Sequence, residues 1–236
     1  MLSGESAYGQ VESFYAYIDP RNEKSLWMSE NFGFETVGKI ATQTYSRVNP
    51  KSRPRVEKAD DWNLVKGLVE NQFKAYNYFF LAQTEKPPFY IIRDKQGEII
   101  ACAKTSVATW EIKRLPGKWG GVLTKLIPFI PRLNKLIRPK KHTFIVPEAV
   151  IVKNNDPKLV NELFEGILDK ENRNLLIWWV DQNDGLYTSV RSQMKWGLLH
   201  KLVGVNSAHV VRKQNATAVP SYNSEQPFYT SGFDFI

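Results

Sequence analysis

The chain of 236 residues predicts a globular protein of the mixed α/β class. Runs of β-branched and aromatic residues alternate along it with segments whose apolar residues recur at helical spacing. The composition is 42% hydrophobic and 24% charged, with a mean hydropathy of −0.38, which is ordinary for globular proteins. These values exclude a wholly disordered or fibrous chain, and no apolar run approaches the roughly 18 residues that a membrane-spanning helix needs.

The first quarter of the chain predicts a strand, a helix and further strand. Residues 11–18 are apolar or aromatic and β-rich, and residues 21–31 form a short helix that Gly33 ends. Residues 34–48, rich in Thr, Val and Tyr, provide one or two strands. The polar stretch 49–55 contains two prolines and is interpreted as a linker.

The rest of the chain alternates helices and strands. Up to residue 109 the predicted elements are a helix capped by Asp60 or Asp61 and ending near residue 71, a helical piece over 73–81, and a hairpin of strands 89–93 and 99–109. Later elements are a strand over 143–152, a helix over 157–170 with Asp156 as N-cap, a strand over 175–180, a helix over 186–196 and a strand over 202–211. The tail, residues 215–236, is polar with late aromatic residues and is assigned no element.

The net charge of +8 is concentrated in one segment. Residues 110–141, the basic segment, hold nine Lys or Arg residues against one glutamate, so they carry the whole excess. A nucleic-acid-binding chain would spread its positive charge more widely, so we expect no nucleic-acid partner. The segment mixes apolar and basic residues and predicts a lid or a site for an anionic surface or acidic partner, with salt-sensitive binding to anionic vesicles. The alternative is a solvated excursion whose apolar residues pack on the domain.

Cysteine and histidine are too few for disulfide or metal chemistry. Cys102 is the single cysteine, and the three histidines are scattered, so no metal-ligand cluster is predicted. The first ten residues have neither a basic nor an apolar region of the kind that a signal peptide has. The sequence therefore predicts a cytoplasmic, metal-free protein.

An internal repeat suggests two related units. YAYID at residues 15–19 resembles IWWVD at 177–181, and each is followed by a short helix, a glycine and a Val-Gly pair. We interpret residues 1–49 as the strand-helix-hairpin end of a first domain. Residues 50–214 are interpreted as a complete second copy that contains the basic segment as an insertion, and residues 215–236 as a tail.

The order of these elements resembles the GNAT superfamily of acyl-CoA N-acyltransferases. The family's later motif places Gly-Phe eleven and twelve positions after an asparagine, a spacing that Asn22, Gly33 and Phe34 reproduce. The resemblance implies a central mixed, mostly antiparallel sheet flanked by helices. It also implies that the chain binds acetyl-CoA or another acyl-CoA and transfers the acyl group to a small-molecule or peptide amine, with a dimer as one arrangement. The competing interpretation is a generic α/β domain.

The cofactor loop of that family departs from its pattern here. The pyrophosphate of acyl-CoA lies on backbone N–H groups at a helix N-terminus, where a glycine-containing signature lets it approach. Residues 155–160 align with that signature and match none of its defining residues, and Asp156 places an anion there. The resemblance assigns cofactor binding to Val152, Lys153, Asn155 and Lys158.

The predicted catalytic residues are not at the positions that the family usually uses. The family's acid, a helical tyrosine, corresponds to Ser29 in the first copy and Gln193 in the second, so Tyr187 on the same helix is predicted instead. Glu148 is the predicted base, with Asp181 as second choice. The alternatives are an exposed strand residue for Glu148 and a helix cap for Asp181. Two functions follow: an N-acyltransferase acting on an amine, and a non-catalytic GNAT-like binding or regulatory module.

Overall fold

The computed structural model describes residues 5–6, 9–10, 13–81, 86, 88–115, 120–215 and 222–231. The first two residues of the predicted strand 11–18, Pro116 and Lys118 of the basic segment, and residues 216–221 and 232–236 of the tail lie outside the described residues. Among the helices in these ranges, none is both long and apolar enough to cross a bilayer.

One sheet of eight strands organises the described chain, in the order β3-β10-β4-β9-β8-β7-β6-β5. Its strands are β3 (Ser13–Ile18), β4 (Glu35–Ser46), β5 (Val56–Ala59), β6 (Phe89–Arg93), β7 (Ile99–Trp110), β8 (His142–Val152), β9 (Leu175–Asp181) and β10 (Asn206–Gln214). Neighbouring strands are antiparallel except β8 and β9, which are parallel. β1 (Glu5–Ser6) and β2 (Gly9–Gln10) form a separate two-stranded pair. The predicted α/β class with a mixed, mostly antiparallel sheet is confirmed.

Helices flank this sheet. They are α1 (Glu23–Asn31), α2 (Asn63–Phe73), α3 (Gly120–Leu126), α4 (Pro131–Leu136), α5 (Pro157–Lys170), α6 (Gly185–Val190) and α7 (Leu198–Val203). The longest, α5, places Leu163, Phe164 and Ile167 in a buried cluster with strand residues such as Ile145 and Trp178. The interior apolar stripe of this helix thus covers one face of the central strands.

Local rules explain the elements that were predicted correctly. Asp156 caps α5, since its Oδ1 accepts a hydrogen bond from the backbone N–H of Lys158 at 2.8 Å, and Pro157 occupies the first helical position. The Asn22 side chain accepts from the Ser25 N–H at the start of α1. β6 and β7 form the predicted hairpin.

Three predicted elements are wrong. Residues 73–81 form no second helix, since α2 ends at Phe73 and Tyr78 has a φ of 60°. The predicted helix 186–196 ends at Val190, and residues 198–203, partly predicted as strand, form α7. Gly197 between them has a φ of 105° and approaches Ser46 so closely that a Cβ would meet its carbonyl oxygen at 2.1 Å. Of the one or two strands predicted over 34–48, the structure has one, β4, because it pairs along its length with β10 on one side and β9 on the other.

The strands of both proposed units share one sheet. β3 and β4 from residues 1–49 flank β10, which belongs to residues 50–214. The origin of residues 1–49 as the end of a first domain stays a prediction.

The basic segment contributes to the interior. It folds into α3, a 3₁₀ turn (Ile127–Phe129) and α4, and it buries Ile127, Leu136 and Ile137 in a cluster with Phe144. The segment therefore combines an anchored apolar side with an exposed basic side, and its removal would leave part of the core uncovered.

Candidate functional site

The parallel strands β8 and β9 part after a single pairing. Ile145 and Leu176 are register partners, and beyond them the two strands diverge towards their carboxyl ends. Ala149 has a φ of 47°, and the register between β8 and β7 shifts nearby, so β8 bends away from β9. The resulting cleft is lined by Glu148, Ala149 and Trp179 among others.

The chain's own C-terminal segment fills this cleft. Residues 227–230 enter it, and the Phe228 N–H donates to Asp181 Oδ2 at 2.8 Å. The Thr230 hydroxyl donates to the Trp179 carbonyl at 2.6 Å, and the Tyr229 N–H donates to the Asn77 carbonyl at 2.9 Å. About 30 Å³ of free volume is left, enough for one or two water molecules and too little for a cofactor chain.

Aromatic packing holds the same segment. Phe228 is buried, and its ring stacks on Tyr78 at 5.6 Å and on Tyr222 at 6.0 Å between centroids. Gly38 of β4 allows this approach, because a Cβ there would lie 2.2 Å from Phe228 Cε2. The Val-Gly pair of the first repeat therefore has a packing function that sequence reasoning missed.

Glu148 lies inside the sheet and faces the cleft. Its side chain is 1% exposed, and its Oε2 lies 3.4 Å from Lys104 Nζ, while its Oε1 accepts from the Ser106 hydroxyl at 3.5 Å. The alternative interpretation as an exposed strand residue is wrong, because this part of β8 is covered on both faces. The predicted base is thus a buried carboxylate that already contacts an ammonium group.

Tyr187 is held elsewhere. Its hydroxyl donates to Gln43 Oε1 at 3.4 Å, and Gln43 Nε2 contacts His200 Nδ1 at 3.1 Å. Burial raises the pKa of Tyr187. Tyr187 does not line the cleft, and the Trp178 ring packs against it with centroids 5.8 Å apart. The structure does not bring the predicted acid and base together.

Two buried aspartates close the carboxyl end of β9. Asp181 accepts from the N–H groups of Asn183 and Phe228, and burial raises its pKa. Asp184 caps α6 through the Tyr187 N–H at 2.8 Å and accepts from the Tyr76 hydroxyl at 3.1 Å, and burial raises its pKa too. Asp184 was missed, although an aspartate followed by Gly185 at a helix start is a recognisable cap signal.

The predicted cofactor residues lie on both sides of the turn from β8 into α5. Val152 is buried in the sheet, Lys153 Nζ pairs with Glu98 Oε2 at 3.7 Å, and the Asn155 side chain donates to the Gly185 carbonyl at 3.4 Å. Lys153 and Asn155 line a hollow of about 550 Å³ that Lys158 does not reach. The helix N-terminus is already capped by the Asp156 carboxylate, so these residues do not fit an acyl-CoA pyrophosphate.

Comparisons with known proteins find similarity to solved structures. No family model matches the chain, and no curated protein matches it. A GCN5-related N-acetyltransferase from Sphaerobacter thermophilus is 14% identical with a TM-score of 0.48, covering 88% of this chain and 61% of its own. One from Anabaena variabilis is 9% identical with a TM-score of 0.43, covering 86% and 46%.

A third similar structure is a Saccharomyces cerevisiae N-myristoyltransferase with bound myristoyl-CoA. It is 10% identical with a TM-score of 0.44, and the match covers 75% of this chain and 50% of that one. This chain thus spans less than two thirds of the length of these proteins. Two of these three structures are GCN5-related N-acetyltransferases and one is an N-myristoyltransferase.

Proposed function

We propose that this chain is a degenerate GNAT-like protein of the acyl-CoA N-acyltransferase type, and that it acts as a non-catalytic binding or regulatory module. The observation that carries the proposal is the cleft between β8 and β9, which residues 227–230 fill down to about 30 Å³. The segment makes hydrogen bonds to both Asp181 and Trp179, so it lies where a substrate chain would have to enter.

The helix N-terminus supports the same conclusion. An anion gains there from free backbone N–H groups and from the helix dipole. In this chain the Asp156 carboxylate takes the Lys158 N–H, and Pro157 has no N–H to offer. A pyrophosphate would meet a like charge in place of a free backbone cradle.

The catalytic groups support it as well. A general base must reach the proton that it removes. Glu148 contacts Lys104 and shares its cleft with Phe228 and Tyr229, so an amine reaches it only when residues 227–230 are displaced. Tyr187 lies outside that cleft.

The second candidate function is N-acyl transfer to a small-molecule or peptide amine. The parting of β8 and β9 with the Glu148 carboxylate on the cleft favours it. In that case the active state is one in which residues 227–230 have left the cleft.

Calorimetric titration with acetyl-CoA tests the proposal. The matched protein is the Phe228→Ala variant, which removes the ring that holds the segment. We expect a Kd no tighter than millimolar for the unmodified chain and no thiol release with a panel of amines. Micromolar binding with thiol release would overturn the proposal, and tight binding by the variant alone would show that the segment blocks a competent site.

A further inference from the structure

We infer that a second pocket, at the amino ends of β8 and β9, binds a phosphate group. It is lined by residues from two stretches of the chain, within 135–143 and 172–175, and its cations are Lys135, Arg138, Lys141 and Arg173. Its volume is about 230 Å³, somewhat below the roughly 300–1,000 Å³ of sites for drug-sized ligands. It is therefore of a size for a small anionic group.

The parallel pairing of the strands builds this pocket. Because β8 and β9 run in the same direction, the loops that enter them meet at the same edge of the sheet. The loop before β8 brings Arg138 and Lys141, and the turn between α5 and β9 brings Arg173. The Arg173 N–H donates to the Leu168 carbonyl at 2.9 Å, which fixes the backbone of that turn.

The positive charges of the lining are not balanced by acidic residues in the pocket. It contains four Lys or Arg residues and no carboxylate. Lys135 Nζ donates to the Asn49 side chain at 2.7 Å, whereas the side chains of Arg138, Lys141 and Arg173 form no ion pair within the described residues. By contrast, Arg53 and Arg55 pair with Glu165 and Glu162 of α5. Clustered cations repel one another, and an anion between them removes that cost.

Arg173 points to the chemistry of the ligand. Its Nε is shielded from solvent and has no hydrogen-bond partner within the described residues. A buried donor without a partner costs free energy, and a guanidinium matches the oxygens of a phosphate with two parallel hydrogen bonds. The neighbouring Asn174 is held by the carbonyls of Arg47 and Val48 at 2.8 and 2.9 Å, so the wall beside Arg173 is firm.

An apolar groove adjoins the pocket and shares Arg138 and Lys141 with it. The groove has a volume of about 790 Å³ and includes Pro128 and Phe129, whose ring side chain is 81% exposed. The phosphate could belong to a lipid headgroup, with the apolar side of the basic segment on the membrane, or to a soluble phosphate ester. Both sources offer the same group to Arg138, Lys141 and Arg173.

A charge-matched pair of variants tests the pocket in the full chain. Arg138→Gln/Lys141→Gln/Arg173→Gln removes three cations from the pocket. Lys113→Gln/Lys125→Gln/Lys140→Gln removes three from the groove alone. The probes are inorganic phosphate, glycerol 3-phosphate, and phosphatidylcholine vesicles with and without phosphatidic acid, at constant ionic strength. We expect the first variant to weaken binding by about tenfold or more and the second by less than about threefold.

The same probes identify the source of the phosphate. Vesicle binding that falls in a Phe129→Ser variant, while glycerol 3-phosphate binding is unchanged, assigns the pocket to a lipid headgroup. If vesicles and glycerol 3-phosphate bind equally well, and Phe129→Ser changes neither, the pocket is assigned to a soluble phosphate ester.

Two results would overturn the pocket itself. Equal losses of binding in the two triple variants would show diffuse attraction to a basic surface. If none of the probes binds the wild type, the pocket is not a phosphate site. Thermal unfolding verifies that the variants fold. If the loss of Arg173 prevents folding, Arg138→Gln/Lys141→Gln against Lys113→Gln/Lys140→Gln gives the same comparison on exposed side chains.

Discussion

The two ends of the β8–β9 pair differ in their free volume and in the charge of their lining. The carboxyl end is filled by the chain's own residues 227–230 and keeps about 30 Å³ free. The amino end keeps about 230 Å³ and is lined by cations with no carboxylate among them. The resemblance to acyltransferases directs attention to the carboxyl end, while Arg138, Lys141 and Arg173, which form no ion pair within the described residues, lie at the amino end. An anion is attracted to such a cluster of cations, whereas the chain's own residues already occupy the carboxyl end.

The largest effect is expected at the buried charge pair of the filled end. Replacing Lys104 with Met leaves Glu148 buried without its ammonium partner, which costs about 3–5 kcal/mol of unfolding free energy. Denaturant unfolding measures it. The double variant Lys104→Met/Glu148→Gln removes both charges and should recover a large part of the loss. A single variant as stable as the wild type would show that the pair contributes nothing.

Two phenylalanines, one at each end, give the next test. Phe228 is 5% exposed and fills the cleft, so Phe228→Ala should cost about 3 kcal/mol of unfolding free energy. Phe129, beside the basic pocket, is 81% exposed, and Phe129→Ala should change stability by less than about 0.5 kcal/mol. Similar losses in the two variants would remove the contrast between a filled and an open end.

A glycine pair sharpens the account of the filled end. A methyl group at Gly38 would lie 2.2 Å from Phe228, so Gly38→Ala should cost about 1–3 kcal/mol and loosen residues 227–230. Gly67 in α2 has nothing within 4 Å, so Gly67→Ala should stabilise the protein by about 0.5–1 kcal/mol. Thermal unfolding of both variants measures the expected destabilisation by Gly38→Ala and stabilisation by Gly67→Ala. A neutral Gly38→Ala would mean that the Phe228 ring is not held against β4.

The smallest expected effect is a pH dependence at Asp181. Burial raises its pKa above the usual 3.8, so the folded state holds this proton more tightly than the unfolded state does. Its contribution to stability is therefore fully present below pH 3.8 and is lost as the pH rises through the raised pKa. As the pH rises through that range, the unfolding free energy of the wild type should fall relative to that of Asp181→Asn. A flat difference would contradict the assignment.

The sequence predicted elements whose signals are local. The Asp156–Pro157 start of α5 and the β6–β7 hairpin carry their own caps and turns, and both were predicted correctly. The piece 73–81 has helical spacing, yet its Phe79 ring packs against Tyr229 of the C-terminal segment, with centroids 5.0 Å apart. Tertiary contacts therefore decided its conformation.

The candidate site was predictable only in part. Glu148 could be placed on a strand, but its burial and its contact with Lys104 depend on the pairing of β7 and β8, which composition does not reveal. The filling of the cleft depends on residues that are far apart in the chain, such as Asn77 and Asn223, whose contacts only the fold brings about. The sequence showed the concentrated charge of residues 110–141, but it did not predict that Arg173 lies in the same pocket as Arg138 and Lys141.

Hydrogen exchange with and without acetyl-CoA tests the central claim most directly, because it reports separately on the helix N-terminus after β8 and on the segment that fills the cleft. The account predicts that the amides of residues 153–156, 158–160 and 228–230 exchange at the same rate in both samples. Protection of 153–160 together with faster exchange of 227–230 would contradict it, since the cofactor would then have displaced the segment and taken the helix N-terminus.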